Sequence, residues 1–163
     1  MKNFLIVISV IFFIASISCK EKFNAPREKE AVLKVLQEEG DAFAKNDLNR
    51  LYSIYIQDST QTRLGIGHTY QRIFEGWNDV QKLYENYAKM NSSDSSWKNP
   101  RNLKENLKIK VSENSAWVLC DNIWEFQIDS TDRKQINNEI TFLEKINEEW
   151  KISFKAFIQK PTP

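Results

Sequence analysis

The sequence predicts an α+β domain, with helices in its N-terminal half and a curved antiparallel sheet in its C-terminal half. Apolar residues recur at helical spacing over much of residues 28–90. From residue 102 onward they alternate with polar residues, as in strands that bury one face. The 163 residues suffice for one domain, and a formal charge of +1 provides no field that would attract nucleic acid.

Three N-terminal helices are expected to precede the sheet. Pro26 stands where the first helix could begin, and an apolar stripe continues from there to Ala44. Asp47 can cap a short second helix over residues 48–56. Residues 77–90 carry their apolar side chains on one helical face and predict the third helix.

Four segments have the period-two pattern of strands, namely 102–111, 116–128, 140–146 and 150–158. Turn lengths decide whether their apolar sets share a face, because a one-residue slip moves every side chain to the other side. Turns of two residues at 113–114, five at 129–133 and three at 147–149 would place all four sets on one side. That covered side would then include Leu107 and Ile146.

The N-terminal residues differ from the rest of the chain. Lys2 precedes an apolar run that is shorter than the roughly 20 residues of a spanning helix, so it predicts a signal peptide. The junction at Ser18 and Cys19 resembles a bacterial lipobox, which implies that Cys19 is the first mature residue and carries the lipid. An ordinary signal peptide that contains a cysteine is the other interpretation. We expect a signal peptide over 1–18 and a tether over 19–27.

An acylated Cys19 would anchor the chain to a lipid membrane, since each buried CH₂ contributes about 0.8 kcal/mol. The expected location is the cell envelope, on the periplasmic side of the membrane. Lys20 follows where an aspartate would favour inner-membrane retention, so the outer membrane is favoured. Cys120 then has no intramolecular partner and is expected to be a small core residue of a strand.

Four segments resemble motifs of one protein family: VLKVLQEEGDAFAKNDLNRLYSIYIQD, IFEGWNDVQKLYENY, LKIKVSENSAWV and ITFLEKINEEWKISF, which begin at residues 32, 73, 107 and 140. Together they resemble the SnoaL-like branch of the NTF2-like superfamily, over residues 28–160. The resemblance implies a cone, in which a bent sheet and helices enclose a cavity. Such proteins include isomerases, dehydratases, cyclases and members without catalysis. Ala156 stands where catalytic members carry a polar group on the final strand.

The inner side of this expected cone supplies a candidate ligand pocket. Its expected lining residues are Tyr55, Glu105, Asn122, Trp124, Asn138, Phe142 and Phe154. The predicted register sets Glu105 opposite Asn122 and Trp124 opposite Asn138. A buried polar group without a partner costs roughly 1–3 kcal/mol, so these groups either bond to one another or meet a ligand. Both interpretations stay open, and so does a cone filled by its own aromatic residues.

Three residues are candidates for catalysis. Glu105, buried beside aromatic rings, could be a general base, with Tyr55 donating to an oxyanion as in ketosteroid-isomerase-like chemistry. His68 is the chain's one histidine, and a solvent-exposed loop position is the alternative interpretation. It lacks neighbouring residues that would complete a metal site, so neither metal nor cofactor is expected.

The outer side of the predicted sheet is mostly charged but is interrupted by an apolar stripe. Its members are Trp117, Leu119, Ile123, Leu143 and Phe157. Such a stripe suggests a partner surface, and a homodimer is expected. The favoured function is a non-enzymatic, lipid-anchored envelope domain that binds a small hydrophobic ligand or a partner protein. The alternatives are a small-molecule isomerase or lyase that uses a pocket carboxylate, and a structural assembly subunit.

Overall fold

The computed structural model describes residues 23–93, 98–128 and 130–160. Three helices are present in this part: α1 (Ala25–Ala44), α2 (Leu48–Ser53) and α3 (Trp77–Ser93). The six strands are β1 (Thr62–Ile66), β2 (Gln71–Glu75), β3 (Lys98–Val111), β4 (Ser115–Ile128), β5 (Thr131–Ile146) and β6 (Glu149–Gln159). The expected signal peptide, Cys19 and the first part of the expected tether lie outside the described residues. Within the described ranges, none of the helices is apolar and long enough to cross a bilayer.

The six strands form one sheet in the order β2-β1-β6-β5-β4-β3. All neighbouring pairs are antiparallel except β1 and β6, which are parallel. The α+β prediction is confirmed, but the prediction that three N-terminal helices precede the sheet is wrong. One long helix, α1, precedes the six-residue α2, and the hairpin β1–β2 separates both from α3. The hairpin belongs to the sheet because β1 pairs with β6.

Helix α1 covers the inner side of the sheet. Its N-cap is Asn24, whose side chain accepts a hydrogen bond from the Arg27 amide. Asp47 caps α2 in the same way, as the sequence predicts. Val32 and Leu36 of α1 are fully buried in a core that also contains residues of β4, β5 and β6. This packing encloses an interior between α1, α3 and the sheet.

The hairpin β3–β4 follows the predicted register at its turn and departs from it further along. Ile109 lies opposite Val118 as expected. An irregularity between Glu105 and Lys108 then shifts the pairing by one residue, because a bulge adds a residue to one strand. Lys104 rather than Glu105 therefore lies opposite Asn122.

Strand β5 presents the side opposite to the predicted one. The β4–β5 turn holds two residues, since Ile128 pairs with Thr131, whereas the predicted five-residue turn pairs Ile128 with Lys134. The difference of three residues is odd, so every β5 side chain changes sides. Glu139 and Leu143 consequently face the interior, and Phe142 faces outward with 46% of its surface exposed.

Strand β6 changes sides along its length. Ile152 pairs with Leu143, whereas Phe154 pairs with Phe142, so a bulge at Ser153 adds one residue to β6. Ile152 faces the core before this bulge, and Lys155 faces the interior after it. The bulge therefore carries a charged side chain inward and turns Phe154 outward.

Candidate functional site

Seven polar side chains from seven parts of the fold meet in the interior. We call them the interior charge cluster, and its members are Glu39, Tyr55, Arg63, Tyr84, Lys104, Glu139 and Lys155. Helices α1 and α3, strands β1, β3, β5 and β6, and the segment after α2 all contribute. The cluster therefore depends on the complete tertiary fold.

Lys155 is the centre of this cluster. Its Nζ atom lies 2.5 Å from Glu39 Oε2 and 3.3 Å from Glu139 Oε1, and its side chain is fully buried. Lys104 Nζ lies 2.6 Å from Glu139 Oε2, and Thr141 donates to Glu139 Oε1 over 3.1 Å. Each buried carboxylate thus has a lysine partner, as a charge in the protein interior requires.

A directed chain of hydrogen bonds ends at Glu39. Tyr55 Oη donates to Glu39 Oε1 over 2.8 Å, Tyr84 Oη donates to Tyr55 Oη, and Arg63 Nη1 donates to Tyr84 Oη. Both tyrosine protons therefore point toward the carboxylate. The Tyr55 proton is committed to Glu39, so Tyr55 is poorly placed to donate to a bound oxyanion.

The cluster holds its two carboxylates in the ionised form. Burial alone would raise the pKa of Glu39, but the charges of Lys155, Lys104 and Arg63 lower it to about 2. For Glu139, burial is likewise outweighed by Lys104 and Lys155, and its pKa is lowered. Burial and the Glu39 charge raise the pKa of Tyr55 well above its usual value, which keeps the phenol protonated.

We expect the interior charge cluster to make stability depend on acid pH. The pKa of Glu39 is lower in the folded chain than the value of 4.5 for a free side chain. Its contribution to the free energy of unfolding is therefore complete above that value and is lost as the pH falls toward about 2. Urea unfolding at a series of pH values should show a shallower acid loss for Glu39→Gln than for the wild type. Parallel pH curves for the two proteins would contradict this assignment.

Three of the residues predicted for the pocket do lie in the interior. Tyr55 is 2% exposed and belongs to the cluster. Asn122 is 1% exposed, and its Oδ1 accepts a hydrogen bond from Asn102 Nδ2 over 2.5 Å. Trp124 packs against Phe43 of α1 with 5.3 Å between ring centroids. The structure does not bring these three together with the predicted Glu105.

The other predicted pocket and catalytic residues lie elsewhere. Glu105 is exposed on the outer side, because the bulge in β3 puts Lys104 inside instead. Asn138 and Phe142 face outward because the β4–β5 turn is shorter than predicted. Phe154 also faces outward, and its ring centroid lies 5.7 Å from that of Phe142. His68 is exposed in the loop between β1 and β2.

The predicted outer stripe is divided between the two sides of the sheet. Trp117, which is 38% exposed, and Leu119 lie on the outer side as predicted. Ile123 shares their alternation but is 2% exposed. Leu143 is 1% exposed in the core, and the Phe157 ring lies inside, 4.6 Å from the Arg63 guanidinium carbon. The placement of the last two residues outside was wrong, because of the short β4–β5 turn and the bulge in β6.

The charged members of the cluster were missed because charges at alternate strand positions indicate a solvated face. One signal was present in α1. Glu39 continues the spacing of the apolar positions Val32, Leu36 and Phe43, so an acid occupies the buried stripe of the helix. Such a residue needs a cationic partner from another element. Within the described ranges, no group of three or more histidine, cysteine or acidic residues could hold a metal ion.

A row of side chains crosses four strands on the outer side of the sheet. Lys110, Trp117, Phe142 and Phe154 lie opposite one another in turn. Beside this row is an open cleft of about 650 Å³. Its lining residues are Lys110, Val111, Ser112, Asn114, Ser115, Ala116, Trp117, Phe142, Leu143, Glu144 and Ser153. We call the row and this lining the outer cleft.

Several solved structures superpose on this fold. An NTF2-like protein with a cystatin-like fold from Novosphingobium aromaticivorans superposes with a TM-score of 0.67, covering 84% of each chain at 9% identity. The chain has an NTF2-like fold. An NTF2-like protein of unknown function from Shewanella oneidensis has a TM-score of 0.60 at 17% identity, over 80% of this chain and 98% of that one.

An NTF2-like fold does not by itself indicate a reaction. The hexachlorocyclohexane dehydrochlorinase LinA-type3 from Novosphingobium barchaimii is similar to this chain with a TM-score of 0.64 at 15% identity, covering 83% of this chain and 88% of its own. Enzymes and proteins of unknown function thus both share the fold. No family model matches the sequence, and no curated protein matches it.

Proposed function

We propose that this NTF2-like chain is a non-enzymatic binding domain of the cell envelope, anchored to a membrane through an acylated Cys19. The observation that carries the proposal is the pairing of both cluster carboxylates, Glu39 and Glu139, with buried lysines. These charges are fixed in the fold, whereas Trp117 and Phe142 expose apolar surface in the outer cleft.

The alternative of an isomerase or lyase needs a pocket carboxylate that can take up a proton. A general base works best when its pKa lies near the working pH. The pKa values of Glu39 and Glu139 are shifted in the opposite direction. Glu105, the predicted base, is exposed on the other side of the sheet. The geometry therefore favours binding over proton transfer.

The partner that best fits the outer cleft is a second copy of this chain. The cleft is open, and Trp117 and Phe142 in its lining are exposed. Lys110 and Glu144 are both among its lining residues. In a two-fold interface the same patch meets itself, so Lys110 of one copy can approach Glu144 of the other. An exposed aromatic patch with a charged rim is typical of a protein contact.

Sedimentation of the purified full-length protein tests this contact. We expect a dimer for the wild type, and a monomer for Phe142→Asp because the new carboxylate would be buried against the partner's apolar patch. Ile73→Asp is the matched control, since Ile73 is also exposed but lies on β2, away from the cleft. A monomeric wild type, or a Phe142→Asp protein that still dimerises, would contradict the proposal. A small hydrophobic molecule retained by a monomeric wild type in native mass spectrometry would favour a ligand cleft instead.

The anchor is tested separately. Mass spectrometry of the mature protein should find Cys19 as the N-terminal residue with acyl chains attached. A mature chain that begins elsewhere, or an unmodified Cys19, would contradict the anchor without affecting the contact surface.

A further inference from the structure

Arg63 differs from the two lysines of the interior charge cluster. Lys104 and Lys155 each contact a carboxylate. Arg63 forms no ion pair with any residue that the structure describes, and its protein hydrogen bond is the one from Nη1 to Tyr84 Oη. A guanidinium has five N–H donors, so most of its donors have no protein acceptor in the described part of the chain.

The charges of the cluster do not cancel. Three cations, Arg63, Lys104 and Lys155, face two carboxylates, Glu39 and Glu139. One positive charge is therefore left over among the described residues of the cluster. An uncompensated charge in a partly buried site is costly, and a bound monoanion would remove that cost.

Two aromatic rings lie close to the Arg63 guanidinium. Its guanidinium carbon lies 4.9 Å from the ring centroid of Tyr84 and 4.6 Å from that of Phe157. Arg63 is partly exposed, so its remaining N–H donors can meet solvent or a ligand.

The Tyr70 ring covers Gly65, two residues beyond Arg63 on β1. Gly65 lies on the same face of β1 as Arg63, and a Cβ atom there would meet Tyr70 Cε2 at 3.6 Å. Arg72 lies opposite Gly65 on β2, with its guanidinium carbon 5.5 Å from the Tyr70 ring centroid. The Tyr70 ring and a second cation, Arg72, thus border this part of β1.

We propose that Arg63 binds the carboxylate of a small organic acid with an apolar body, in a site bounded by Tyr70, Tyr84 and Phe157. The edge of a guanidinium presents paired donors that match the two oxygens of a carboxylate. A single carboxylate also matches the single uncompensated charge, whereas a phosphate dianion exceeds it. The aromatic rings favour an apolar body on the ligand. This site lies on the inner side of the sheet and is independent of the outer cleft.

Calorimetric titration of the full-length protein with benzoate tests the site. We expect the wild type to bind benzoate, and to bind benzamide, the neutral analogue, and inorganic phosphate at least about tenfold more weakly. Arg63→Lys should weaken benzoate binding, because it keeps the charge but loses the paired donors. Arg63→Gln should abolish binding. Arg101→Gln, an exposed change on β3, is the matched control and should bind as the wild type does.

A second variant avoids disturbing the charges. Gly65→Leu adds a side chain where the Tyr70 ring lies, so it should displace this ring from the border of the site and weaken benzoate binding, while the thermal midpoint of unfolding reports whether the fold is retained. The proposal is overturned if the wild type does not bind benzoate, if benzamide or phosphate binds as tightly, or if Arg63→Gln or Gly65→Leu binds benzoate unchanged. The same variants should sediment in the same oligomeric state as the wild type. An unchanged state would show that the carboxylate site and the dimer contact are independent.

Discussion

Replacing Leu143 by alanine is expected to lower the free energy of unfolding by about 2–5 kcal/mol, the usual cost of a large cavity in a core. Leu143 is 1% exposed and belongs to the same buried cluster as Val118 of β4 and Trp150 and Ile152 of β6. Few neighbours can move to fill the space, because three strands fix them. This loss is expected because the side of β5 that carries Leu143 faces the core.

Ile146→Ala is the matched control on the same strand. Ile146 is 42% exposed and alternates with Phe142 on the outer side, so its truncation should cost much less than that of Leu143. The register predicted from the sequence gives the reverse order, with Ile146 inside and Leu143 outside. Urea unfolding of both variants therefore distinguishes the two registers. Equal losses, or a larger loss for Ile146→Ala, would contradict the structure described here.

The fold could be predicted from the sequence because its signals are local or repeated. The helical spacing of apolar residues correctly predicted α1 and α3, and Asp47 correctly marked the start of α2. Period-two alternation located β4 and β6 to within one residue and β3 to within four, but it marked only residues 140–146 of β5, which begins at Thr131. The hairpin turn between Val111 and Ala116 was also correct, since its two-residue length leaves few alternatives.

The side of the sheet that each strand residue faces was predicted less well. One residue added to or removed from a turn or strand is enough to reverse it. Alternation is preserved when a turn shortens or a bulge is inserted, so both registers fit the apolar pattern of β5 equally well. Residues with positive φ mark these places in the structure, including Asn106 in β3 and Ser130 in the β4–β5 turn. Asparagine and serine at such positions are common enough that the sequence alone did not identify them.

The interior charge cluster was the least predictable feature. Glu39 and Lys155 are 116 residues apart in sequence, and neither carries a local sign of its partner. Their meeting depends on the bulge at Ser153, which turns Lys155 inward, and on the side of β5 that carries Glu139. Tyr55 was identified from the sequence, but its partner proved to be Glu39 rather than Glu105.

The second large effect is expected for Lys155→Met, which removes the central cation and keeps a side chain of similar length. Glu39 would then lose its ion-pair partner. Of the two lysines that pair with Glu139, Lys104 would remain. Breaking a buried ion pair in this way costs about 3–5 kcal/mol, because the remaining carboxylate is left uncompensated. The double variant Lys155→Met/Glu39→Gln should recover part of this loss by removing that charge as well.

Equilibrium urea unfolding of Lys155→Met beside Lys151→Met is the measurement that tests the interior charge cluster most directly. Lys151 lies on the same strand, and its ion-pair partner Glu149 has a side chain that is 70% exposed, so its replacement should change stability little. The structure predicts a loss of several kcal/mol for Lys155→Met and partial recovery in the double variant. A Lys155→Met protein as stable as Lys151→Met would contradict the central claim that buried, paired charges hold this interior together.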